Sequence, residues 1–222
     1  YITATFIKEL KNRFLCEVEI DGEHVVCYVP SSCHLSNFLK LEGKKVLLIP
    51  TRARDARTQY ALFAVPYKRS FIVLNSSMAN RAVGNSLRSR RFSSLGKRKT
   101  VIKEHYVNGY KSDLFIKDTN TIIEIKSVLS TEKNAQFPTV FSERTLKQLK
   151  KLKDMLNEGY RVYYIIVSLN PYVKAITIAK ETQFFSELND CIKRGMNLLA
   201  YSCRLEKDDI LINQKIQVNI EC

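Results

Sequence analysis

Three charged residues in one short window have the types and spacing of a metal-assisted hydrolysis site: Asp113, Glu124 and Lys126. They lie in two runs, Lys111-Ser112-Asp113-Leu114-Phe115-Ile116 and Ile122-Ile123-Glu124-Ile125-Lys126-Ser127-Val128, joined by Lys117-Asp118-Thr119-Asn120. The alternation of both runs predicts strands, and the joining residues predict a turn. Residues two apart in a strand point the same way, so Glu124 and Lys126 share one face while Ile123 and Ile125 share the other. A hairpin closing symmetrically about Asp118 and Thr119 puts Asp113 directly across from Glu124. Carboxylates facing each other this way repel by roughly 0.2–1 kcal/mol even when solvated. Local rules broken in this manner point to function. A divalent cation between the two groups turns the repulsion into attraction.

The oxygens of Asp113 and Glu124 are hard ligands suited to Mg²⁺ or Mn²⁺. A cation held by so few protein groups keeps positions open for water and a phosphate oxygen, and it lowers the pKa of that water. Lys126 would orient the water or share the developing charge. Glu104 is a further candidate member. The plainer alternative is a surface hairpin in which Lys126 simply pairs with the carboxylates, because D-x(n)-E-x-K alone arises easily by chance. Other chemistries find no support. There is no G-x-S-x-G and no glycine loop able to cradle a nucleotide phosphate. His24, His34 and His105 are too scattered to be given catalytic tasks.

The chain around these residues is basic, with a formal charge of +14 over 222 residues. That charge predicts attraction to polyanions, nucleic acid above all, with an affinity that falls as salt rises. A basic run, Arg88-Ser89-Arg90-Arg91-Phe92-Ser93-Ser94-Leu95-Gly96-Lys97-Arg98-Lys99, lies just upstream of the acidic residues. Residues 91–100 of it read as a surface connector. Arg88, Arg90, Arg91, Lys97, Arg98 and Lys99 are expected to contact phosphates, although a charge run is more usually a solvated face. On the following helix Arg144, Gln148 and Lys151 fall on one side at i, i+4 and i+7. Arg144 and Gln148 are candidates for holding the scissile phosphate. No apolar run has the length of a membrane span, no helix pairs a strong apolar face with a lysine face, and the first residues do not read as a signal peptide. Six cysteines without a C-x-x-C pair suggest small core residues in a reducing, cytoplasmic setting, and Cys33-His34 is not a zinc signature. Oligomeric state is open, a homodimer included.

The elements that must position the site divide into two parts. Residues 1–78 are rich in short strands, at Thr3–Leu10, Arg13–Ile20, Glu23–Val29, Lys44–Pro50, Tyr60–Val65 and Ser70–Leu74, with turns at Asp21-Gly22 and Glu42-Gly43. Five or six strands without a long helix predict an OB-like β-barrel, a fold that often binds nucleic-acid strands. Residues 79–222 alternate strands and helices, so the fold class is mixed α/β. Ser76–Leu87 reads as a short helix. Ser142 is a good N-cap, Leu146, Leu149, Leu152 and Leu156 form an apolar stripe, and Gly159 ends that helix. The run Arg161–Leu169 suits a strand buried on both faces. Glu181–Arg194 is a second helix, and Val173–Ala179, Leu198–Arg204 and Ile210–Ile220 are further extended segments.

These residues resemble the sugar fermentation stimulation protein A family over nearly the whole chain. The likeness rests on Ile123-Glu124-Ile125-Lys126-Ser127-Val128, on Asp113 after a basic residue at 111, and on Phe137-Pro138 leading into Ser142-Glu143-Arg144. It also rests on Val73-Leu74-Asn75-Ser76-Ser77-Met78-Ala79-Asn80. The resemblance implies an N-terminal OB-like domain and a C-terminal PD-(D/E)XK nuclease-like domain in a DNA-binding protein that cleaves DNA or RNA. Asp113, Glu124 and Lys126 match the nuclease motif, and Glu104 stands at the family's upstream glutamate. The chain departs from the family's usual Pro-Asn-Thr-Gly with Pro30-Ser31-Ser32-Cys33. It has Thr139-Val140 where Asp-Ala usually follows Phe-Pro, and Arg144-Thr145 and Gln148 where Arg-Gly and a histidine are usual. The first expectation is therefore a Mg²⁺- or Mn²⁺-dependent nuclease. The alternative is a non-catalytic DNA-binding regulatory protein.

Overall fold

Alternating apolar and polar residues carry six strands through the first third of the chain. In the computed structural model, which describes residues 1–31, 34–51, 56–207 and 209–221, these are β1 (Ile2–Glu9), β2 (Leu15–Ile20), β3 (Glu23–Tyr28), β4 (Lys45–Pro50), β5 (Tyr60–Tyr67) and β6 (Ser70–Val73). Asp21 and Gly22 both take positive φ, as a two-residue turn between twisted strands demands, and fix the register of β2 on β3 so that Cys16 lies across from Cys27. The strands follow the order β3-β2-β1-β4-β5, and a parallel pairing of Tyr28 with Ala61 closes β3 onto β5. The result is the expected OB-type barrel, filled by Phe6, Val18, Leu35, Val46, Leu48 and Leu62.

Helix α1 (Met78–Ser86) follows the barrel. In the basic run after it Arg88, Arg90, Arg91, Lys97 and Lys99 are exposed, as a surface connector requires, but the segment is tied down. Residues 90–95 coil into short 3₁₀ turns that bury Phe92 and Leu95. The Arg98 guanidinium donates to the carbonyls of Leu87, Ser89 and Gly96 at 2.6–3.0 Å. Two apolar side chains and one multidentate arginine thus tie down a segment whose composition alone reads as solvated.

Strands β7 (Val101–Val107), β8 (Tyr110–Ile116) and β9 (Thr121–Val128) begin the second domain. They are followed by β10 (Asn134–Gln136), α2 (Glu143–Asn157), β11 (Arg161–Ser168), β12 (Ala175–Ala179) and α3 (Gln183–Lys193), and then by β13 (Asn197–Glu206), β14 (Asp209–Lys215) and β15 (Gln217–Glu221). The main sheet has the order β14-β13-β11-β9-β8-β7, parallel at its centre where β9, β11 and β13 meet, and a small parallel sheet β10-β12-β15 lies beside it. β11 is buried on both faces: Val162, Tyr164 and Ile166 pack toward α2 and α3, while Tyr163, Ile165 and Val167 pack toward α1.

Helix α2 starts where Ser142 accepts a hydrogen bond from the Thr145 amide. It ends in a Schellman motif with Gly159 at φ 90°, the Gly159 amide donating to Leu156 and the Tyr160 amide to Met155. Its buried stripe is Leu146, Leu149, Leu152 and Met155, with Leu156 at the margin. Cys16, Cys27, Cys191 and Cys203 are buried free thiols, and burial pushes Cys27 and Cys191 up to about 11. Cys33 and Cys222 lie outside the described residues. Among the described residues no helix is long and apolar enough to cross a membrane.

Candidate active site

The β8–β9 hairpin has the register that symmetry about Asp118 and Thr119 requires, with Leu114 across from Ile123. One more step would pair Asp113 with Glu124, and there the ladder gives way. The Asp113 side chain takes over, its Oδ2 accepting the Ile125 amide at 2.7 Å. Its Oδ1 accepts from Asn80 Nδ2 of α1 at 3.0 Å. Both carboxylate oxygens are therefore aimed by neighbouring elements.

Glu124 is buried, at 3% exposure, on the face that packs toward α2. Lys126 Nζ reaches its Oε1 at 2.7 Å and Gln148 Oε1 at 2.6 Å, so β9 and α2 are joined through one ammonium. The Tyr110 hydroxyl donates to Glu124 Oε2. Burial raises the proton affinity of Glu124 and the Asp113 charge adds to that, while Lys126 and the Tyr110 hydrogen bond pull the other way without cancelling it. Burial likewise drives the Tyr110 hydroxyl far above its usual range, keeping it a donor.

Glu104 sits on β7 between the paired residues Lys103↔Leu114 and His105↔Ser112, so Glu104, Asp113 and Glu124 occupy one level across three strands. Glu104 has φ 49°, and its exposed carboxylate pairs with Lys111 at 2.8 Å, which holds it below the usual range. It stands on the rim, while the other two acids form the wall. A cleft of about 410 Å³ is lined by Glu104, Asp113 and Glu124 on the sheet side. Arg144, Lys147, Gln148 and Lys151 line its helix side. A second cleft of about 360 Å³ shares Asp113 and is lined by Lys126, Asn80, Thr139 and Val140.

The predicted residues divide accordingly. Asp113, Glu124, Lys126, Arg144 and Gln148 come together, with Glu104 at the edge. Arg88, Arg90, Arg91, Lys97, Arg98 and Lys99 line neither cleft. Their segment packs where β9 and β11 begin: Lys97 lies 3.8 Å from Asp118, and Arg161 donates to the carbonyls of Ser94 and Leu95. At about 3.3 Å per strand residue, that is roughly 15 Å from Lys126. Arg98 is consumed by backbone carbonyls, so its role is structural.

Tyr110, Asn80 and Lys147 complete the setting and were not singled out from the sequence. Lys147 carried a signal, since it is the i+3 member of the stripe Arg144, Gln148, Lys151. Tyr110 carried none and Asn80 only its membership of the family segment at residues 73–80, because tertiary packing brings both in.

Asp113 and Glu124 fit a divalent ion. They present hard oxygens to one cleft, and a cation there would relieve the cost of burying the Glu124 charge. Among the described residues no group of three or more His, Cys, Asp and Glu side chains converges as a ready-made cage. Water and substrate oxygens would supply the remaining ligands, as is usual for Mg²⁺.

Comparison with known proteins shows what the chain is similar to. The model of the sugar fermentation stimulation protein RE domain matches residues 77–209, and that of the SfsA N-terminal OB domain matches residues 10–74. The sugar fermentation stimulation protein homolog of Caldanaerobacter subterraneus subsp. tengcongensis is 30% identical over 223 residues, covering 98% of this chain and 96% of the relative. The homolog of Ruminiclostridium cellulolyticum is 27% identical over 221 residues, covering 96% and 95%. The solved structure of Pyrococcus furiosus SfsA in complex with Ca²⁺ matches with a TM-score of 0.76 at 17% identity, over 100% of this chain and 96% of that chain. At that identity the likeness concerns the fold.

Proposed function

The chain belongs to the sugar fermentation stimulation protein family, and from that premise we propose that it is a nucleic-acid phosphodiesterase dependent on Mg²⁺ or Mn²⁺. The observation that carries this reading is the meeting of Asp113, Glu124 and Lys126 under a helix face bearing Arg144, Lys147 and Lys151. Acids alone would repel a polyanion. Acids faced by a row of cations attract it and aim it. The Ca²⁺ complex of the Pyrococcus furiosus relative supports a divalent site in this fold.

Asp113 and Glu124 would hold the ion. When bound, it supplies an acidified water and neutralises charge on the phosphoryl oxygens. Asn80 and the Ile125 amide fix the Asp113 carboxylate. Tyr110 fixes Glu124 and favours its ionised form against its burial. Lys126, steadied by Gln148, places a positive charge beside the reacting centre. Arg144, Lys147 and Lys151 receive the flanking phosphates.

Purified protein is expected to cut DNA or RNA with Mg²⁺ or Mn²⁺, to stop with chelator, and to lose at least about a hundredfold in rate in Asp113→Ala. A preparation that cuts no strand of either kind under these conditions overturns the reading. One observation favours a second reading, the non-catalytic binder. Thr139 and Val140 line the cleft where the family resemblance places an Asp-Ala pair, so this chain brings one carboxylate fewer there. That reading expects metal-independent binding unchanged by Glu124→Ala and no cleavage.

A further inference from the structure

A groove larger than either acidic cleft lies away from the acidic residues. It lies on the barrel, encloses about 1010 Å³ and is floored by rings. That volume is at the upper end of the roughly 300–1,000 Å³ found for sites that hold organic ligands. Phe14 leads into β2, and Tyr28 ends β3. The pairing of Leu15 with Tyr28 and the bond from the Val29 amide to the Phe14 carbonyl set their rings side by side, with centroids 6.5 Å apart and planes 17° from parallel. Both rings are exposed, at 38% and 42%. Tyr1 stacks on Phe63 of β5 at 4.6 Å and adds a second pair on the same wall. Exposing this many large rings in one concave place is costly unless something covers them.

The charge around the rings identifies the occupant. Among the described residues no aspartate or glutamate lines the groove, while Arg57 and Arg81 do. The Arg13 guanidinium stands 4.7 Å from the centroid of the Phe14 ring. Arg81 is shared with Asp209 at 2.9 Å, which leaves, among the described residues, Arg57 on the lining and Arg13 beside Phe14. Flat apolar faces with cations at the rim suit an unpaired nucleic-acid strand, whose bases stack while its phosphates meet the arginines. A duplex keeps its base faces stacked on one another and offers none along its length.

Helix α1 joins this groove to the acidic clefts. Met78 and Arg81 line the groove, while Ser77 and Asn80 line the cleft that holds Asp113 and Lys126. Steps of three residues place each pair on its own stripe, and the stripes are neighbours on one helix. A helix with its side chains is about 10–12 Å across, a distance that a few nucleotides span. We propose that the aromatic groove of the barrel takes a single-stranded stretch of nucleic acid by base stacking and passes it over α1 to Asp113. This deepens the phosphodiesterase reading and rests on it for the identity of the polymer.

The test separates the two. Binding of a fluorescein-labelled oligo-dT and of a hairpin duplex is followed by anisotropy in chelator, where no cleavage occurs. Phe14→Ala and Tyr28→Ala are each expected to weaken oligo-dT binding about tenfold and to move duplex binding less than twofold. Phe14→Leu keeps apolar bulk without a ring and is expected to behave like Phe14→Ala, with an unaltered melting curve. Unchanged oligo-dT affinity in the ring variants overturns the groove proposal and leaves metal-dependent cleavage untouched. Ring-dependent oligo-dT binding by a protein that never cleaves upholds the groove and sinks the phosphodiesterase.

Discussion

Glu124 is a buried acid whose ionised form is favoured by two donors of different kinds, the Lys126 ammonium and the Tyr110 hydroxyl. Its proton affinity remains raised, so folding takes up a proton between the ordinary value of 4.5 and the higher native one, and stability falls as pH rises through that window. Tyr110→Phe removes a bond that favours the ionised form. We expect a loss of about 1.5–3 kcal/mol at pH 8, and a smaller loss at pH 5 where more of Glu124 is protonated. Urea unfolding at the two pH values checks this, and an equal deficit at both contradicts the assignment. Asp113, Glu124 and Lys126 were legible in the sequence because strand periodicity is strict: a hairpin symmetric about its turn leaves one possible partner for each residue. Asn80 was not legible, because its place beside Asp113 depends on α1 lying against the sheet, and no local pattern encodes that.

At the scale of elements, the barrel strands and both long helices follow from alternation, caps and stop glycines, with boundaries shifted by one or two residues. The basic run shows how far such reading reaches, since Arg88, Arg90, Arg91, Lys97 and Lys99 are exposed as expected. Its composition announces a solvated connector, but Phe92 and Leu95 bury themselves and Arg98 binds carbonyls. A single carboxylate does comparable work in the barrel. Glu9, at the end of β1, accepts the amides of Leu35 and Ser36 at 2.5 and 2.9 Å and so caps the helical turn Leu35–Asn37. Burial pushes its pKa up, but the hydrogen bonds from Ser36 and Leu35, with His34 near, outweigh this and leave it lowered. A lowered acid contributes stability above its ordinary value of 4.5 and loses it as pH falls through the native value. Glu9→Gln is expected to cost about 1.5–3 kcal/mol at neutral pH. The gap to the parent protein should narrow steadily as chemical denaturation is repeated from pH 5 downward; a gap independent of pH argues against the cap.

Across the whole molecule, the barrel and the α/β domain share a core. Phe63, Ala64 and Val73 of the barrel pack in the same cluster as Ala82 and Val83 of α1 and Ile123 and Ile165 of the main sheet. The Val73 amide donates to Leu169, and the Tyr67 hydroxyl to Thr131. Two domains joined by a continuous apolar core are expected to unfold together. Tyrosine fluorescence and far-ultraviolet circular dichroism should give one coincident melt, whereas two separated transitions would mean that the shared core contributes little.

The Asp113 carboxylate serves as a stitch, since it holds the Ile125 amide where the strand ladder lapses. Whatever draws that carboxylate outward slackens the stitch. The deuterium uptake of one backbone nitrogen therefore becomes a gauge of occupancy, readable in a protein that has turned over nothing at all.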